Sequence, residues 1–107
     1  MLTRKAVNLG PVERIAKGHG HCFVVEGRKI AVLRGRDDRL WAIDHQCPHQ
    51  RGPLADGMLG DREVVCPLHG HRFDLETGRG SESGETVKVF PVELRDGNIY
   101  LILDDLV

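Results

Sequence analysis

Apolar residues in this chain never repeat at helical spacing for more than two turns, which sets helix-built folds aside at the outset. What the chain offers instead is a series of short, β-rich runs separated by turn residues. Cys22-Phe23-Val24-Val25 and Ile30-Ala31-Val32-Leu33 flank the polar stretch Glu26-Gly27-Arg28-Lys29, a hairpin pattern. Gly35-Arg36-Asp37-Asp38 turns the chain into Leu40-Trp41-Ala42-Ile43. Later, Val87 to Leu94 and Ile99 to Leu103 flank Arg95-Asp96-Gly97-Asn98. Asp-Gly there is a strong two-residue hairpin signal, because both positions accept positive φ. Pro91 interrupts the first of these runs, and the apolar phase changes across it. Val87 and Val89 share one parity, Val92 and Leu94 the other, which predicts an edge position or a bulge. Thirteen glycines and five prolines among 107 residues agree with this reading. The expected fold is all-β, a small antiparallel barrel or sandwich of short strands, with residues 1–107 forming one domain.

Fifteen Lys and Arg stand against sixteen Asp and Glu, a net charge of −1. Such balance lacks the basic stripe of a nucleic-acid binder and the polybasic patch of a membrane-surface protein, so neither partner is expected. The longest apolar run is five residues, Ile99 to Leu103, too short for a membrane-spanning helix. Glu13, Arg14 and Lys17 interrupt the stretch where a secretory leader would place its apolar region. The expected setting is the cytoplasm.

The middle of the chain has a different character. Residues 45–86 are rich in Gly, His and Pro, with two strand-like pieces at Arg62-Glu63-Val64-Val65 and Arg72-Phe73-Asp74-Leu75. Cys47-Pro48-His49 follows the Trp41 run, and Cys66-Pro67-Leu68-His69 follows the Val64 run. Two loops that each offer one thiolate and one imidazole can converge on a single centre. Zinc accepts two cysteines with two histidines, but its structural sites typically pair like ligands about two to four residues apart. Here the first pair is separated by one residue, and both loops are mixed. A two-iron, two-sulfide cluster with thiolates on one iron and imidazoles on the other suits mixed loops, because each loop then reaches both metals. Ligand type and spacing favour the cluster, with zinc and a metal-free fold as the alternatives.

Cys47-x-His49, sixteen intervening residues and Cys66-x-x-His69, together with Pro48, Pro67 and Gly70, resemble the Rieske iron–sulfur signature. The likeness runs from about Val12 to Leu103. It includes Ile43-Asp44, Gly52-Pro53-Leu54 with Gly57, Phe73-Asp74-Leu75-Glu76-Thr77-Gly78, Phe90-Pro91-Val92 and the Asp96-Gly97 hairpin. The resemblance implies a Rieske-type barrel or sandwich whose two cluster-binding loops lie within residues 45–86. It also implies a 2Fe-2S cofactor held by Cys47, His49, Cys66 and His69. Among Rieske proteins the chain looks most like the small subunit of cytoplasmic, assimilatory NAD(P)H-dependent nitrite reductase. Its partner would then be the large flavin and sirohaem subunit that reduces nitrite to ammonia. It also resembles the ferredoxin component of aromatic-ring dioxygenases, which implies a flavin reductase and a terminal oxygenase as partners. Either way the resemblance implies a redox component of an oxidoreductase, with no catalytic or substrate site of its own.

Several residues receive plainer expectations. Arg51, at the tip of the first loop, is a candidate partner contact. His45 and His71 are expected to orient the loops by hydrogen bonds, and Cys22 to be a buried, inert thiol. Trp41 and Leu54 read as packing. Asp37 and Asp38 read as a solvated turn, and Asp74 and Glu76 as surface carboxylates on same-face strand positions.

The resemblance also implies properties of the cofactor. Two ferric ions, two sulfides and two thiolates cancel to a formally neutral centre, so neutral imidazole ligands ease reduction relative to an all-cysteine cluster. Respiratory-complex Rieske proteins join their loops by a disulfide; Gly52 and Leu68 stand at the matching positions. Those high-potential proteins also place Ser and Tyr donors where this chain has His71 and Phe73. Fewer donors to sulfur imply a potential near the low end of the Rieske range, around −150 mV. Ligand imidazoles that lose protons at alkaline pH couple reduction to protonation. The midpoint potential is expected to fall with rising pH in the alkaline range; voltammetry showing a flat profile there would refute the coupling.

Overall fold

The computed structural model of the chain describes residues 2–47, 52–68, 70–81 and 84–106. Among them, three antiparallel sheets account for the architecture. The first takes β1 (Leu2–Pro11), β10 (Asn98–Leu106) and β9 (Val92–Arg95), in that spatial order. The second takes β2 (His19–Val25), β3 (Arg28–Arg34), β4 (Leu40–Asp44) and β8 (Val89–Phe90). The third is a small sheet of β5 (Met58–Leu59), β6 (Glu63–Val65) and β7 (Arg72–Asp74). The expected antiparallel all-β class is what the chain adopts.

The middle sheet organises the other two. Ile30, Ala31, Val32 and Leu33 on β3 are all fully buried, so the centre of the strand has no solvent face. Side chains alternate across a strand, and here the alternation sorts them into two cores. Ile30 and Val32, with Ala42 of β4, join Phe23, Phe90, Ile99 and Leu101 in one core. Ala31 and Leu33, with Ile43 of β4, join Leu54, Val64, Phe73 and Leu75 in the other. The uninterrupted apolar run at 30–33 is therefore the signature of a strand packed on both sides.

Turn chemistry fixes the registers. Asp96 and Gly97 have φ of 51° and 80°, the paired positive values that a tight hairpin of matching twist needs. The β2–β3 turn is tighter than the four residues expected, because Glu26 and Gly27 take φ of 51° and 79° while Arg28 and Lys29 already belong to β3. At Pro91 the chain changes sheets. Val89 and Phe90 pair with Ile43 and Ala42 of β4, whereas Val92 pairs with Leu101 of β10. Both segments are edge strands, so the proline N lacks no ladder partner, and the parity change at 87–94 records the switch of sheet.

Three sequence expectations need correction. β1 was not expected, because Arg4, Lys5 and Asn8 obscure its alternation; its partner β10 holds it in place by pairing from Leu2↔Leu106 to Pro11↔Asn98. A bulge at Asn8/Gly10 interrupts that pairing, and the Asn8 Oδ1 accepts the Gly10 N–H at 2.8 Å. Asp38 is not merely solvated: Arg34 Nε donates to its Oδ1 at 3.0 Å, and that bond is the main reason its carboxyl titrates below the usual carboxylate range. Glu76 does not share a strand with Asp74. Asp74 Oδ1 accepts the N–H groups of Thr77 and Glu76, making a turn after β7 and lowering its own pKa through those two bonds, Thr77 first.

The double burial of β3 makes it the most sensitive strand. Leu33→Ala should cost about 2–5 kcal/mol of unfolding free energy, while Val24→Ala, at a 68% exposed site, should change it by less than about 0.5 kcal/mol; urea titration measures both, and equal effects would show that Leu33 is not a core anchor.

Candidate metal centre

The first candidate loop leaves the end of β4. Its neck is closed by a bridge between Gln46 and Pro53 and by the Cys47 N–H donating to Gly52 O at 2.8 Å. His45 braces the neck twice. Its carbonyl accepts the Leu54 N–H at 2.8 Å, and its Nδ1 accepts the Ala55 N–H at 3.4 Å. Burial is the chief cause holding the His45 ring below the ordinary histidine pKa, so the ring is neutral and its Nδ1 lone pair is free to accept. The expectation that His45 orients its loop is met in this form.

The second loop joins β6 to β7. The Cys66 N–H donates to His71 O at 2.8 Å, and the Gly70 N–H donates to Cys66 O at 3.0 Å. Each cysteine therefore sits at the base of a turn pinned by its own backbone amide. Both thiols are buried, 0% exposed at Cys47 and 1% at Cys66, and both belong to the core of Leu33, Ile43, Leu54 and Phe73.

The two loops meet at Gly52. A Cβ built there would lie 2.5 Å from Cys66 Sγ and 3.4 Å from the Leu68 side chain. A side chain at this position would require the Cys66 Sγ to shift, so glycine is what lets the first loop approach the second thiol this closely. Gly52 and Leu68 are the positions matched to the disulfide of the respiratory proteins, and the structure sets them side by side. The donor chemistry fits an iron–sulfur group: two buried thiols that share one apolar core are the soft donors such a group takes. His49, His69 and Arg51 lie outside the described residues.

The comparisons with known proteins agree with this geometry. Residues 6–102 match the family described as the Rieske-like [2Fe-2S] domain. The chain belongs to that family. Its cofactor is accordingly a Rieske 2Fe-2S cluster, and its activity is Rieske-type electron transfer. The ferredoxin component of the naphthalene 1,2-dioxygenase system of Pseudomonas aeruginosa is 30% identical over 104 residues, 95% of this chain and 99% of that protein. Among solved structures, the ferredoxin of carbazole 1,9a-dioxygenase from Nocardioides aromaticivorans IC177 is 27% identical with a TM-score of 0.81, covering 91% of this chain and 96% of its own. A protein of Mycobacterium tuberculosis, described as the small subunit of an NADH-dependent nitrite reductase, is 20% identical with a TM-score of 0.89, covering 97% and 99%. At that identity it shows the shared fold. No helix among the described residues is long and apolar enough to cross a membrane.

The remaining candidates sort clearly. Phe73 is fully buried and brings no hydroxyl to the Rieske centre. Leu54 lies buried beneath the first loop, and Trp41 packs at the edge of the same core. Cys22 is only partly buried, contrary to expectation, because β2 presents it at the margin of that core; desolvation nevertheless raises its thiol pKa and keeps it protonated. Sequence reasoning missed Glu85, whose Oε1 lies 2.8 Å from His71 Nδ1. Nothing in its local sequence marks it.

The close approach at Gly52 is testable. Gly52→Ala should lower iron and acid-labile sulfide per chain while leaving the far-ultraviolet circular dichroism unchanged, and full cluster loading in that variant would show that the loops tolerate a side chain at their junction.

Proposed function

We propose that Cys47 and Cys66 hold one iron through their thiolates, that His49 and His69 hold the other through imidazoles, and that the chain is the ferredoxin component of an aromatic-ring oxygenase system. When bound, the cluster accepts and returns one electron at a time. The chain's own task is to keep two thiols dry, pin both loops by backbone hydrogen bonds and leave one face open to partners. The observation that carries the oxygenase reading is the end-to-end relation to the naphthalene dioxygenase ferredoxin, at 30% identity over 95% of this chain. A flavin reductase would be the donor, a terminal oxygenase the acceptor, and the chain would have no substrate site of its own. The single-domain span 1–107, with the cluster loops inside 45–86, belongs to the same proposal.

The site's surroundings support a carrier that docks. Met58 and Leu68 are 76% and 56% exposed. Met58 lines the same concave surface as Cys66 and Pro67, and Leu68 follows two residues after Cys66. Apolar surface beside a redox centre suits a contact that must form and break, and Arg51 remains the proposed polar contact at the first loop.

A second reading, the small subunit of a cytoplasmic nitrite reductase in nitrate assimilation, is favoured by the TM-score of 0.89 over 97% of the chain. The 20% identity there speaks for the fold alone, so the oxygenase reading stands first. The two differ in partner, and recovery of the tagged chain from its native cell separates them. A separate flavin reductase and oxygenase are the expected companions; a stoichiometric sirohaem flavoprotein would overturn the first reading in favour of the second. Ligation by His69 is checked by His69→Cys, which adds a negative charge to the centre. A retained cluster should have a lower midpoint potential than the wild type, and an unchanged potential would show that His69 is not a ligand.

A further inference from the structure

Glu85 lies outside the cluster signature, fourteen residues beyond His71. Its side chain and that of His71 are 15% and 16% exposed. An ionised carboxylate only accepts hydrogen bonds, so the 2.8 Å contact requires His71 Nδ1 to carry the proton and donate to Glu85 Oε1. The partners are anchored from opposite sides. His71 O takes the amide of Cys66 at 2.8 Å, which closes the second loop. Glu85 O takes the Gly80 N–H at 2.9 Å, and Ser81 N–H donates to Arg72 O at 2.7 Å. Ser81 Oγ in turn accepts the Arg72 N–H at 3.0 Å, and Gly80 bridges to Phe73. The segment carrying Glu85 is thus stapled to β7, on the far side of the loop from Cys66.

We infer that Glu85, acting through His71, is a positioning residue for the second cluster loop, a strap that fixes the turn bearing Cys66 and places one negative charge beside the cluster. A charge-assisted hydrogen bond in a water-poor setting is stronger than an exposed one. Rotating His71 away would leave a half-buried carboxylate without that donor, which is a further cost. The ring, and with it the carbonyl that receives the Cys66 amide, is therefore held from outside the signature. A nearby carboxylate also disfavours an added electron.

The inference rests on Cys66 and His69 being ligands. The wild-type holoprotein tests that part alone, through its iron and sulfide content, and the variants test the strap by their difference from it. Glu85→Gln keeps an acceptor for the Nδ1 proton and removes the charge. It should hold its cluster as long as the wild type does while shifting the midpoint potential upward. Glu85→Ala and His71→Ala remove the bond, and each should release iron to a chelator roughly tenfold faster. The double alanine variant should release it no faster than either single variant. An unchanged potential in Glu85→Gln, or additive release rates in the double variant, overturns the inference. If Glu85→Ala fails to fold, Glu85→Asp, whose shorter side chain draws the carboxylate back from His71 Nδ1, decides the coupling: it should speed iron release in the otherwise wild-type chain and not in His71→Ala, and equal acceleration in both refutes the strap.

Discussion

Everything in this molecule leans on a pair of adjacent strands, β3 and β4, whose central residues, 30–33 and 42–43, are buried on both faces. Their backbone groups are satisfied by neighbours β2 and β8, and their side chains alternate into two separate apolar cores. One core lies between this sheet and the sheet of β1, β10 and β9. The other lies between it and the segment that carries both cysteines. Burial on both sides roughly doubles the apolar side chains each strand commits to a core, and it lets a chain of 107 residues support two cores without a disulfide among its described residues.

That shared wall also holds the two candidate ligand thiols in position. Cys47 emerges just beyond β4, and Cys66 just beyond β6, whose Val64 packs into the same core as Leu33 and Ile43. The two thiols thus inherit the rigidity of the sheet instead of the freedom of a surface loop. Each loop adds its own neck of backbone hydrogen bonds, from Cys47 to Gly52 and from Cys66 to His71. The loops then touch where Gly52 yields space to the Cys66 sulfur. His45 braces the neck of the first loop through its carbonyl and Nδ1, and His71 braces the second through its carbonyl while its ring meets the Glu85 carboxylate.

Much of this was legible in the residues themselves. The hairpin at Asp96-Gly97, the edge position at Pro91 and the strand at 30–33 each leave a local trace, because turn dihedrals, the missing proline N–H and β-rich composition act over two to five residues; that this strand is buried on both faces was not read from the sequence. β1 left almost none. Its charged and polar residues are tolerated only because β10 supplies a partner along its length, a contact that closes the chain's two ends on one another. Asp74 and Glu76 looked like strand neighbours because the sequence shows spacing but not where β7 stops. The Asp74 side chain itself ends the strand by capping two amides.

The amino-acid order alone settled the class of fold and the candidate ligands, because ligand chemistry and spacing within each loop are short-range properties; spacing favoured an iron–sulfur cluster over zinc, and the resemblance to the Rieske family implied it. Which backbone carbonyl pins each cysteine amide, how closely position 52 approaches the Cys66 sulfur, and which carboxylate reaches His71 were decided only in three dimensions. Those contacts join segments brought together by the packing of separate sheets on one shared wall, and no spacing along the chain encodes a distance through space.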